Sequence, residues 1–524
     1  VSAQRVAIVG SGMMGSNMAL TLARAGFEVT VFEKGPDYPY PQQPAFERNI
    51  VYDWPNPAWS LPPDLARMVN TGSYARVLWP ELVLRVGGSG TAWTGLATRM
   101  APVDFRLHSE RGYALDWPVG YDTLEPWMCA AESRLGVSGT DDDNPWAPPR
   151  SRPYPLPPFG LTADDVWFSG KLAAAGIHMH TTPQARTSRN WDDRPACMNI
   201  GECAVCPIGA RYSPTHHLQQ AIATGRCRLV TDTTVRRVLT DASGRARGVV
   251  ARGNAESADR EHAADVVIVV SAAFESARLL LLSKDARHPD GLGNTGGHVG
   301  RHLTFHHIWN GHMHYRQRVG AGAVGFWTGQ SDQFTDPPRR GEVGGIKLEL
   351  PSLPLLTHQH DAGEATTMAE ALRLFELTAR CRQVGLHAET VPSDRKYVAL
   401  AAETDRFGDP VAHVHYDSSD FDRRTHEFGR ELFERVAKST GAVDWQYPAL
   451  EEFGTYAHHM GTCRMGTSPA DSVTDSFGAV HDTPGLFVIG LSNFVGSGGA
   501  VNPTLTGVAL ALRAADFLIE RKRV

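Results

Sequence analysis

Residues 5–9 (RVAIV) form a short β-branched run, and Gly10-Ser11-Gly12-Met13-Met14-Gly15 follows at once, placing a G-x-G-x-x-G pattern where a strand turns into a helix. Met14, Met18 and Leu22 recur at helical spacing, Gly26 offers a left-handed stop, and residues 27–32 (FEVTVF) read as a second strand ending at Glu33. The pattern is a βαβ unit. Farther on, residues 228–238 and 264–270 read as strands, the latter (ADVVIVV) an apolar run suited to a parallel strand buried on both faces. Residues 274–283 (FESARLLLLS) read as a helix. Between about 300 and 448, segments such as 346–350 (IKLEL), 396–401 and 411–416 predict an antiparallel sheet with a substrate-facing surface, then a helix over about 422–439. Residues 485–490 (GLFVIG) predict another buried strand, and 504–519 a long amphipathic helix.

The fold class implied is α/β. A Rossmann-like nucleotide domain is assembled from residues 1–300 and 449–524, and a second, substrate-binding domain with an antiparallel sheet spans 301–448. Prolines 36, 39, 41 and 44 and the proline-rich stretch 145–158 mark excursions, at about 36–80 and 140–220, that contribute to the second domain.

At 524 residues the chain exceeds what one ordinary core organises, and 42% apolar and 21% charged residues are close to the soluble globular average. Lysine and arginine number 51 against 57 aspartate and glutamate, and no basic stripe is present, so neither nucleic acid nor an anionic membrane is the expected partner. No run approaches the ~20 apolar residues of a spanning helix, and the expected location is cytoplasmic. Seven cysteines, an odd count, are expected as reduced thiols.

The glycine turn carries the first candidate chemistry. Gly10 permits the tight turn, Gly12 lets backbone approach a pyrophosphate, Met13 opens the helix whose amino terminus faces the phosphates, and Gly15 lets helix and strand pack closely. Glu33 is placed to accept hydrogen bonds from an adenosine ribose and to repel a 2′-phosphate, or else is a solvated strand end. The unit alone does not separate FAD from NAD.

Three carboxyl-terminal segments decide between them: His458-His459-Met460-Gly461-Thr462, residues 486–490 (LFVIG) and residues 497–506 (SGGAVNPTLT). With the βαβ unit, they resemble the glucose-methanol-choline (GMC) family of FAD oxidoreductases. Residues 87–94 (GGSGTAWT) resemble its flavin-contacting segment, and residues 291–301 fit a further stretch. Within the family the likeness is strongest to pyranose 2-oxidases and bacterial C-glycoside 3-oxidases.

The resemblance implies oxidation of a secondary hydroxyl, at C2 or C3 of a pyranose sugar or glycoside. His458 would be the base, flavin N5 the hydride acceptor, and Asn502 the donor to the substrate oxygen. His459 is the adjacent competitor. Gly88, Thr91, Thr94 and Val235 are implied flavin contacts, with Thr94 near N5 or else a turn hydroxyl bonded to its own backbone. Asn502, Pro503 and Thr504 open a helix whose positive end would face flavin N1, although Asn502 also suits a simple N-cap. Fungal pyranose oxidases carry a flavin-linking histidine just before the tryptophan; this chain has Ala92 there, so FAD is expected to be noncovalent. Oxygen is the expected acceptor, giving hydrogen peroxide, with a quinone-type dehydrogenase as the alternative and a noncatalytic flavoprotein more remote. A monomer or small homo-oligomer is expected.

Two metal readings are set aside. Cys197, Cys203 and Cys206, with His216 and His217 beyond, lack the amino-terminal C-x2-C of a zinc module, and residues 207–211 resemble a family loop over the active site. His298, His302, His306, His307, His312 and His314 read as a strand edge rich in aromatic and polar residues. No metal is assigned.

Overall fold

The computed structural model describes residues 3–38, 65, 67–73, 82–199, 203, 206–319, 327–351, 367–451 and 456–523. Its amino-terminal unit is the one the periodicity predicts: β1 (Arg5–Val9), α1 (Met13–Arg24) and β2 (Glu28–Phe32). Gly26 takes φ +84° just beyond α1, the left-handed turn expected of it. A parallel sheet in the order β18-β9-β1-β2-β5 grows around this unit, adding β5 (Cys227–Val230), β9 (Val266–Val269) and β18 (Leu486–Val488). Every residue of β9 is buried, because α1 and the last helix cover one face and a second apolar cluster fills the other. The nucleotide sheet is thus assembled from distant parts of the chain.

The predicted strand over 228–238 is two strands. Asp232 takes φ +49°, breaking the run between β5 and β6 (Thr233–Thr240). Only β5 stays in the parallel sheet; β6 pairs antiparallel with β7 (Ala246–Gly253), which carries β8 (Arg260–Ala263).

The antiparallel sheet has seven strands in the order β16-β10-β13-β12-β11-β4, with β17 also on β10. Its members are β4 (His180–Thr181), β10 (Thr304–His314), β11 (Gly329–Ser331), β12 (Ile346–Leu350), β13 (Cys381–Glu389), β16 (Asp444–Gln446) and β17 (Tyr456–Met460). Strands β4 and β17 come from outside residues 301–448. Segments 396–401 and 411–416 are strands but leave this sheet: β14 (Lys396–Thr404) pairs antiparallel with β15 (Pro410–Tyr416), which pairs parallel with β3 (Met68–Gly72).

Helix α2 (Ala272–Leu282) follows β9, and α3 (Asp420–Thr440) packs on β13. Helix α3 begins two residues before its predicted start because Ser419 caps it and Asp422 closes a capping box. The last helix, α4 (Thr504–Arg523), lies against α1. Most of the 36–80 excursion, with prolines 39, 41 and 44, lies outside the described residues. Among the described residues no helix is long and apolar enough to cross a membrane.

Candidate active site

A cavity of about 640 Å³ runs from the glycine turn to the face of the antiparallel sheet. At one end Gly10 holds φ +109°, and a Cβ on Gly15 would stand 2.1 Å from the Gly10 carbonyl oxygen, so the turn closes only with glycine at both places. A Cβ on Gly12 would meet no atom within 4 Å; that backbone is bare toward the cavity. Glu33 lines the same end, its carboxylate accepting from Ser11 N (3.1 Å), Ser11 Oγ (2.6 Å) and Gly35 N (2.9 Å). Burial raises its pKa despite these bonds. A dinucleotide fits this end chemically: bare backbone and a helix amino terminus for phosphates, a carboxylate for ribose hydroxyls.

Met13, Gly88, Thr94, Val235, Asn502 and Thr504 also line the cavity, as does Ala92. Gly15, Thr91 and Pro503 are not among the residues that line it. Thr91 is fully buried and donates its hydroxyl proton to the Gly88 carbonyl (2.8 Å).

His458 reaches the cavity through a backbone irregularity. Strand β17 pairs Met460 with Thr304 and Ala457 with His306, so three steps on β17 oppose two on β10. The extra residue is a β-bulge, and His458 within it takes φ +59°. A non-glycine residue there costs about 1–3 kcal/mol, a strain that the surrounding sheet must hold. His458 and His459 both line the cavity but pack against different rings. His459 packs between Phe274 (ring centroids 4.4 Å) and Phe305 (5.1 Å), while the His458 ring stands edge-on to His306 (5.0 Å). His458 Nδ1 lies 2.9 Å from His306 Nδ1, and His306 Nε2 lies 2.6 Å from the Ser497 carbonyl oxygen. Burial, with His306, His387 and Lys347 close by, holds the His458 pKa well below its ordinary value.

Asn502, which lines the same cavity, sits just before α4 and is 5% exposed. Its Oδ1 accepts from Lys347 Nζ and, at 3.4 Å, from Thr98 Oγ1. Lysine only donates, so the contact identifies Oδ1 and leaves the amide NH₂ as the remaining hydrogen-bonding group of the Asn502 side chain. Lys347 also pairs with Glu349, whose other oxygen is 3.1 Å from His387 Nε2. Although burial opposes it, the charges of His387 and Lys347 bring the Glu349 pKa down to about 2.

Lys347, Glu349, His387 and His306 are the site residues that sequence reasoning missed. The pattern of IKLEL predicts a strand and nothing more, and the histidine run assigns His306 to a strand edge. That assignment is corrected: β10 is interior, with β13 on one side and β16 and β17 on the other. Register places Ile308 opposite His387 and His387 opposite Lys347, so these groups share one sheet face. The six histidines do not form one cluster; His298 contacts His302 (3.0 Å) ahead of β10.

None of the seven cysteines is in a disulfide. Cys203 Sγ lies 3.8 Å from Arg186 Nη1, Cys206 Sγ accepts from Arg211 N (3.4 Å), and burial raises the Cys203 thiol to about 11. Among the described residues, two groups bring potential ligand atoms together: His306, His387 and His458, and Asp192, His216 and His217. In the second, both histidines bond Asp192 Oδ2 (3.0 and 2.9 Å).

A parallel nucleotide sheet sharing a cavity with the polar face of an antiparallel sheet is the arrangement of a flavin-dependent oxidoreductase. Residues 5–121 match the family model described as FAD dependent oxidoreductase, and residues 169–308 and 392–511 match two described as GMC oxidoreductase. The chain belongs to the GMC oxidoreductase family; it uses FAD and acts on CH–OH groups. It is 31% identical to 2-methyl-1,2-propanediol dehydrogenase of Mycolicibacterium austroafricanum, over 98% of this chain and 95% of that protein. It is 28% identical to the fructose dehydrogenase large subunit of Gluconobacter japonicus, over 98% and 97%. Likeness to a C-glycoside 3-oxidase of Microbacterium trichothecenolyticum is 35% but covers 23% of each chain.

Proposed function

We propose that the protein oxidises a secondary hydroxyl, at C2 or C3, of a pyranose sugar or glycoside. The observation that carries the reading is that His458 and Asn502 both line the cavity, His458 backed by His306 and Asn502 held through its Oδ1 by Lys347. His458 takes the hydroxyl proton, and the Asn502 amide holds the oxygen as it gains alkoxide character. FAD, held noncovalently because Ala92 replaces a linking histidine, supplies the acceptor for the hydride. Asn310, Trp327, Glu349 and His387 line the same cavity and suit a polyhydroxylated ring, with polar groups for hydroxyls and an indole for the apolar face. The electrons pass to oxygen, giving hydrogen peroxide.

A second reading concerns only the acceptor. The two relatives named above are dehydrogenases, which favours a quinone or protein acceptor instead, whereas others matched over 97% of this chain and 90% of their own length are named oxidases. Anaerobic reduction by free sugars and by O- and C-glycosides, with NMR location of the new carbonyl, tests the substrate. Glycosides are expected to reduce the enzyme with a higher specificity constant than glucose. If only simple diols reduce it, the sugar assignment is wrong. Mixing the reduced enzyme with oxygen decides the acceptor: fast reoxidation with peroxide supports the oxidase, slow reoxidation the dehydrogenase.

A further inference from the structure

The contacts behind His458 determine which of its ring nitrogens carries the proton. A carbonyl oxygen only accepts, so the 2.6 Å contact from His306 Nε2 to the Ser497 carbonyl requires hydrogen on Nε2. His306 is fully buried, and burial holds its pKa down to about 3, so the ring is neutral and carries that one proton. Its Nδ1 is therefore a lone pair. His458 Nδ1, 2.9 Å away, must donate to it. One proton position remains consistent: His458 is the Nδ1–H tautomer with a bare Nε2. Among the described residues that Nε2 has no hydrogen-bond partner, and His458 lines the cavity.

We propose that His306 is a positioning residue that fixes His458 as the Nδ1–H tautomer and shares the charge His458 gains on accepting the substrate proton. The proposal rests on the reading of His458 as base. The alcohol O–H bond breaks and an Nε2–H bond forms; the existing Nδ1–H then becomes a charge-assisted donor to His306, a stronger bond than between neutral rings. Ser497 is a firm anchor for the chain of contacts. Its hydroxyl donates to the Thr390 carbonyl (2.7 Å) and accepts from Thr390 N (3.1 Å), clamping it next to the end of β13. The charged or titratable groups around the pair are His387 on β13, Lys347 and Glu349 on β12, and His459 on β17. Protonating His306 instead would add a buried charge beside Lys347 and reverse the His458 tautomer, removing the base.

The direct test is a long-range ¹H–¹⁵N correlation on the ¹⁵N-histidine-labelled holoenzyme at pH 7.5, with the His458 signals assigned by their loss in His458→Asn. The expected spectrum shows a protonated Nδ1 and a pyridine-type Nε2 for His458; a protonated Nε2 overturns the proposal. His306→Leu should slow anaerobic flavin reduction by about 10²–10³-fold with little change in the substrate dissociation constant. His306→Gln, which retains one acceptor and one donor, should recover most of that loss. Equal rates in His306→Leu and the wild type also overturn it. If His458→Ala itself reduces normally, the base assignment fails whatever the tautomer; if only the tautomer is wrong, the base assignment stands without His306.

Discussion

Lys347→Met separates the two things Lys347 does. Lys347 is fully buried, and its partners are Glu349, 1% exposed, and Asn502 Oδ1. Removing one member of a buried ion pair strands the other, at a cost of about 3–5 kcal/mol. Glu349 would retain only His387, at 3.1 Å. The same change leaves Asn502 Oδ1 with the 3.4 Å contact to Thr98 alone, and the amide is free to turn its donor away from the cavity. Losing one preorganised donor to a developing oxyanion slows chemistry by about 10²–10³-fold. The melting temperature should therefore fall by several degrees, and anaerobic flavin reduction should slow by up to that factor. Adding Glu349→Leu removes the stranded charge, so the double variant should regain much of the stability and stay slow. A Lys347→Met enzyme that melts and reduces like the wild type would refute the reasoning, as would a double variant that regains the rate.

Acid or heat precipitation should release the yellow colour into the supernatant, since Ala92 lines the cavity in place of a linking residue; colour that stays with the pellet means a covalent link. Gly15→Ala places a Cβ 2.1 Å from the Gly10 carbonyl, so the protein should purify colourless, which its absorbance near 450 nm (about the usual flavin band) reports; full FAD occupancy would contradict the packing argument. Stability should fall below about pH 6.5, because His217, His302, His306 and His459 have folded pKa values near 3, below their unfolded ones. Between those values the unfolded chain binds more protons, so each such histidine removes up to about 1.4 kcal/mol per pH unit as pH falls. Denaturation midpoints unchanged from pH 7 to 5 would contradict this.

How much was legible depended on whether local pattern and local structure coincide. The βαβ unit could be read because its turn, helix and strands are contiguous, and β9 because burial on both faces leaves an unbroken apolar run. The strand over 228–238 was misjoined because Asp232 at φ +49° gives no signal in an otherwise β-branched run. Lys347 and Glu349 were missed for a different reason. Alternation in IKLEL marks a strand with one polar face, but only the tertiary fold turns that face into a cavity rather than toward water. His306 was hidden in the same way, as one of six histidines whose partners lie up to 191 residues away in the chain. His458 and Asn502 came from motif resemblance; the bulge that separates His458 from His459 has no counterpart in periodicity.

The central claim is that His458 accepts the hydroxyl proton, and anaerobic stopped-flow reduction of His458→Ala and His459→Ala tests it most directly. Turnover is the weaker observable, since reoxidation or product release can mask the chemical step. The account predicts that His458→Ala keeps its FAD and is reduced about 10²–10⁴-fold more slowly, the usual loss with a general base. His459→Ala, altered where the ring packs between Phe274 and Phe305, should be reduced at close to the wild-type rate. Reduction of His458→Ala at the wild-type rate would contradict the account.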